Sequence, residues 1–148
     1  EEHTIRALVL SHLTVIYIKQ SLGRLSALCG CVVAATGSSC GITYLMGGGY
    51  GQAAAAVKNM IANLTGMICD GAKESCGLKV SNAASEAWSA AMLALENRGI
   101  RNTQGIISPD IHELGITLRE FNEKIFSAAD SVMIGLMTRQ NRSAESRA

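Results

Sequence analysis

The sequence predicts an all-α fold, a compact multi-helix bundle with a buried Gly/Ala/Cys-rich central helix pair, and three observations carry that reading. Aromatic residues are only 4% of the 148-residue chain and there is one proline, so a core drawn from 48% hydrophobic content is layered from Ala, Leu, Ile, Val and Met. A β-sandwich would want more Thr, Tyr, Phe and turn prolines. Apolar residues recur at helical steps of three and four along most of the chain. Between Arg24 and Lys58 no charge appears, yet the run is rich in Gly, Ala, Ser and Thr, and Leu25 to Cys76 holds all five cysteines. Small side chains of this kind let backbones approach closely.

Residues 4–19 place Ile5, Val9, Leu13 and Ile16 on one helix face, with His12 at its edge as a hydrogen-bonded structural residue. Residues 26–46 read as a second helix, apolar nearly all round and therefore buried on several sides. Gly47-Gly48-Gly49 stops it as a flexible turn, without the Lys-Ser/Thr ending of a phosphate-binding loop. A third helix, 52–67, opens on Ala53 to Ala56 and carries Asn59 and Asn63 on one face, where their amides need partners. Residues 70–75 read as a loop, since a continuous helix would hold the sulfurs of Cys69 and Cys76 about 10 Å apart along its axis.

The fourth helix, about 81–98, turns Ala84, Trp88, Ala91 and Leu95 inward and closes on Gly99. After a connection over 100–107, Ser108-Pro109-Asp110 opens a long amphipathic helix, or two in line. Its stripe is Leu114, Leu118, Phe121, Ile125, Ala129, Val132 and Leu136, with His112 exposed near the start. Past Thr138 no apolar pattern remains. The division expected is one domain over 1–138 and a disordered tail over 139–148.

A net charge of +1, from 13 basic and 12 acidic side chains, gives no reason to expect nucleic acid or an anionic membrane surface. Leu25 to Leu45 is long enough to cross a bilayer, but its Ser, Thr and Gly content and lack of an aromatic belt set that rival, a small membrane protein, aside. Five cysteines in a helical pattern disfavour a disulfide framework and favour a reducing, cytoplasmic setting. The opening Glu1-Glu2-His3 has neither an initiator Met nor a basic n-region, and is read as the start of a fragment or processed piece.

Cys31 and Cys40, inside the apolar helix, read as small core hydrophobes. Cys29, Cys69 and Cys76 fall near helix ends, where thiolates can converge. The short paired spacing of zinc sites is absent, and three soft thiolates suit an iron–sulfur cluster that keeps one iron open. GRLSALCGCVVAATGSSCGITYLMGGG, from Gly23 to Gly49, and KNMIANLTGMICDGAKESCGLKVS, from Lys58 to Ser81, resemble the C-terminal part of the iron–sulfur L-serine dehydratase alpha-chain family. The closer likeness is to its L-cysteine desulfidase branch, and it covers most of residues 5–137.

The resemblance implies a [4Fe–4S] cluster on Cys29, Cys69 and Cys76, acting as a Lewis acid in a lyase that eliminates sulfide from L-cysteine, or water from L-serine, to give pyruvate and ammonia. Lys58, Asn63, Lys73 and Ser81 lie in the matched blocks and are the substrate-facing candidates. The implied partners are a small amino acid, the N-terminal domain of the same family chain and further copies in a homo-oligomer; the piece alone is expected to be inactive. The rival from another class is a non-catalytic helical interaction module whose cysteines are structural.

Overall fold

A computed structural model describes residues 1–100 and 105–145. Six α-helices account for most of them: α1 Glu2–Leu22, α2 Gly30–Leu45, α3 Tyr50–Leu64, α4 Cys76–Leu95, α5 Ile111–Phe121 and α6 Ser127–Glu145. A π-helical turn, Asn122–Phe126, joins the last two. No strand element occurs among the described residues, whose one isolated β-bridge pairs Leu28 with Ile68. The expected all-helical bundle is the fold found, and α2 is its axis, packed against α1, α3 and α4. No helix among the described residues is long and apolar enough to cross a membrane.

Small residues explain how α2 takes neighbours on three sides. A Cβ placed on Gly37 would lie 2.5 Å from the Ser11 carbonyl oxygen and 2.5 Å from Val15 Cγ2, and one on Gly41 would lie 3.1 Å from the Ala7 oxygen. Only glycine lets α1 settle that close. The hydroxyls buried by this packing donate back along their own helix: Thr36 to the Val32 oxygen at 2.8 Å, Ser39 to Thr36 at 2.8 Å and Thr43 to Ser39 at 2.7 Å. No buried side-chain nitrogen or oxygen among the described residues lacks a partner, as the cost of desolvation demands.

The close packing overturns two expected faces. On α1 the buried residues are Ala7, Ile18, Ser21 and Leu22, whereas Ile5, Leu8, Val9, Leu13 and Ile16 are between 50% and 56% exposed, with His12 exposed among them. On α4 the inward row is Ala83, Ala87, Ala90, Ala91 and Ala94; Ala84 and Trp88 face out and Leu95 is half-buried. On α4 the bundle takes only alanines, and on α1 it takes Ala7 and Ser21 beside Ile18 and Leu22 at the C-terminal end.

Helix ends also differ from expectation. α2 begins at Gly30 because Leu28 is bridged to Ile68 and Cys29 is extended, and α4 begins five residues early, at Cys76. Gly47, at φ 86°, closes α2: its N–H donates to Tyr44 O at 3.0 Å and the Gly48 N–H to Thr43 O at 2.8 Å, so this turn is a hydrogen-bonded stop. Asn97, at φ 53°, closes α4 in the same way, through Asn97 N–H to Ala94 O at 3.0 Å and Arg98 N–H to Leu93 O at 2.8 Å. Gly99 is not the cap; a Cβ there would meet Asn59 Oδ1 at 2.8 Å.

Asp110 caps α5, its carboxylate accepting from the His112 N–H at 2.6 Å. The π turn then shifts the stripe of the C-terminal segment. Inward residues run Leu114, Leu118, Phe121 and then Phe126, Ala129 and Met133, with a step of five across the turn, so Ile125, Val132 and Leu136 leave the expected face and are exposed. α6 continues to Glu145, past the point where the tail was expected to fray: Arg139, Gln140 and Arg142 are good helix formers, and Ser143 donates to the Arg139 oxygen. The rest of that expected tail, 146–148, lies outside the described residues, as do 101–104 of the connection.

Candidate metal centre

Three chain segments meet at one end of α2. Residues 27–29 lie beside 67–69, with the Cys29 N–H donating to Met67 O at 2.9 Å and the Cys69 N–H to Ala27 O at 2.7 Å. Either side of the Leu28–Ile68 bridge this pairing sets Cys29 and Cys69 diagonally across from each other on the same face. Cys29 is also the N-cap of α2. Cys76 is the first residue of α4, and the loop before it folds back so that Cys76 Sγ accepts from the Lys73 N–H at 3.5 Å and lies 3.6 Å from Gly71 O. Gly71, at φ 97°, makes that reversal.

Lys79 binds the segments together. It stands three residues beyond Cys76 on α4, and its ammonium donates to Ile68 O at 2.7 Å and to Asp70 Oδ1 at 3.0 Å, the two residues flanking Cys69. Its charge is held on by the Asp70 carboxylate first, and thiolates at Cys29 and Cys76 would add to that. Lys73 pairs with the other oxygen of Asp70, and the two lysines together, Lys73 ahead of Lys79, pull that carboxyl down to about 2.

All five cysteines are free thiols. Cys40 is buried and approaches Ala53 O at 3.6 Å, the core role expected of it. Cys31 is only half-buried, its sulfur 3.2 Å from Cys29 Sγ and 3.6 Å from Met67 Sδ. Burial, then the bond to Cys29, pushes the Cys31 thiol up to about 11, so it accompanies Cys29 as a neutral neighbour.

No three His, Cys, Asp or Glu among the described residues are gathered tightly enough to hold a single metal ion. An iron–sulfur cube makes a different demand, because each thiolate takes its own iron corner and the ligands stand apart. On that test the donors fit: three soft sulfurs from segments in mutual contact, two of them at helix N-termini whose partial positive charge favours thiolates, with the Lys79 cation in reach.

Beside this end lies a cavity of about 710 Å³ lined by Ile68, Asp70, Lys73, Lys79, Met133 and Gln140, among others. Of the substrate-facing candidates it brings only Lys73 to the thiols. Lys58 donates to Pro109 O and lines a separate cavity of about 310 Å³ with Gln52, Asn97 and Gly99. Asn63 and Ser81 are exposed on α3 and α4. The residues that spacing missed are Lys79 and Asp70, for which the available signal was position: Asp70 follows Cys69, and Lys79 shares a helix face with Cys76.

An all-helical domain with free thiols on three adjoining segments is the class these features define. The profile of the serine dehydratase alpha chain family matches residues 1–130, and the chain belongs to that family. It is 61% identical over 138 residues to a UPF0597 protein of Bacteroides thetaiotaomicron, covering 93% of this chain and 32% of the relative. It is 59% identical over 138 residues to a UPF0597 protein of Phocaeicola vulgatus, again 93% and 32%, and 47% identical over 132 residues to one of Nitratidesulfovibrio vulgaris, 88% and 30%. The chain thus spans about a third of the length of the curated relatives it matches. No solved structure matches it.

Proposed function

We propose that this chain is the cluster-holding part of a [4Fe–4S] lyase acting on L-cysteine or L-serine, with Cys29, Cys69 and Cys76 as the protein ligands. The observation that carries the reading is the junction at Lys79, which stands one turn beyond Cys76 and bonds both neighbours of Cys69, on the segment paired with that of Cys29. When bound, the cluster supplies Lewis acidity at an iron without a protein ligand.

The residues of the chain do the rest of the local work. Lys73, which lines the 710 Å³ cavity with its partner Asp70, offers the substrate carboxylate a cation. Met133, Leu136 and Met137 add apolar lining to the same cavity. Five free thiols agree with a reducing, cytoplasmic setting. The partners on this reading are a small amino acid and the remaining two thirds of a family-length chain, which supplies the base for the α-proton; the apolar face of α1 is open to that remainder.

Anaerobic reconstitution with iron and sulfide tests the assignment. The wild-type chain is expected to gain broad brown absorbance and close to four irons, as the cube requires, while a Cys29→Ala, Cys69→Ala, Cys76→Ala triple variant gains neither. Equal uptake by the two would remove the assignment.

A further inference from the structure

Lys79 does more than an exposed ion pair does. Such a pair, between two mobile side chains, contributes almost nothing. Here the ammonium donates to a main-chain carbonyl, Ile68 O at 2.7 Å, as well as to Asp70 at 3.0 Å, and its side chain is 24% exposed against 48% for Lys73. Both acceptors flank Cys69, and the donor stands one helical turn beyond Cys76. The link crosses from α4 to the 67–69 segment, which the bridge already ties to Cys29.

We infer that Lys79 is a positioning residue that braces Cys69 against Cys76 and supplies the fixed positive charge facing the three-thiolate site. The inference rests on the cluster reading for its second half only; the brace belongs to the metal-free chain. A cube bound by three thiolates carries net negative charge, and a cation held by two acceptors offsets it without reorganising. Arginine can keep the charge and reach the same carbonyl, whereas methionine matches the stem and removes every donor.

The test compares Lys79→Met and Lys79→Arg with the wild-type 148-residue chain. In the metal-free protein, hydrogen exchange at the Cys69 amide, which bonds Ala27 O, is expected to quicken about tenfold in Lys79→Met with the helical circular dichroism unchanged. After reconstitution the same variant is expected to lose iron to a chelator roughly 10–100-fold more readily, and its cluster to reduce at a more negative potential. Lys79→Arg is expected to restore all three. Wild-type exchange at Cys69 in Lys79→Met overturns the brace; an unmoved potential overturns the charge role. If Lys79→Met loses its helical spectrum, Asp70→Asn, which leaves the carbonyl bond in place, decides: a smaller change at Cys69 in the same direction supports the brace, and none overturns it. Should wild type take up no more iron than the triple cysteine variant, the cluster reading falls while exchange at Cys69 still judges the brace.

Discussion

Asn59 shows how much one polar side chain can hold. Its amide donates to Ala90 O on α4 at 3.2 Å and accepts from the Ile100 N–H at 3.0 Å, so α3, α4 and the start of the following connection meet on it. Spacing alone put Asn59 and Asn63 on one face but could not separate them, because only the packing of α4 decides which amide is buried. Lys79 was invisible for a related reason: its partners lie in a loop that folds back from outside its own helix. Cys40 was legible as a core thiol, and burial raises its pKa above the ordinary 9.0. A folded-state pKa raised in this way means the folded chain keeps a proton that the unfolded chain gives up. Stability is then intact below about pH 9 and falls as pH rises beyond it toward the folded value. Urea midpoints measured from pH 8 to pH 10 are expected to fall less steeply in Cys40→Ala than in wild type, and Cys40 of the folded protein is expected to resist iodoacetamide.

At the scale of the helix, steps of three and four announced the helices but misjudged which side faces inward. A reading weighted by large apolar residues chose Ile5, Val9, Leu13 and Ile16 on α1 and Trp88 on α4, while the bundle buries Ala7 where α1 approaches α2, Ile18 and Leu22 further along α1, and the alanines of α4, because closely approaching neighbours leave no room for large side chains. Gly37 and Gly30 make a matched test within α2. Gly37→Ala places a carbon where Ser11 O and Val15 stand at 2.5 Å, and is expected to cost about 1–3 kcal/mol in urea unfolding. Gly30→Ala meets nothing within 4 Å and is expected to be neutral or stabilising by up to about 1 kcal/mol. Equal losses at the two positions would mean that close approach does not hold α1 on α2.

For the whole molecule, the expected bundle was readable because composition excluded most other architectures; the faces it leaves open were not, since they depend on what packs where. Ile5, Leu8, Val9, Leu13 and Ile16 form a row of apolar side chains that contribute little to this core. A Leu8→Asp, Leu13→Asp double variant is therefore expected to unfold within about 0.5 kcal/mol per substitution of wild type, as measured by urea titration. A larger loss would place that row in the structural core. The π turn at Asn122–Phe126 reaches further than its five residues. One residue beyond a regular turn swings every later side chain by about 100°, and this swing brings Met133, Met137 and Gln140 to the cavity that Lys73 and Lys79 also line. Shape at the sulfur-bearing end is thus written partly in a miscount of the helical repeat, many residues downstream of the last cysteine.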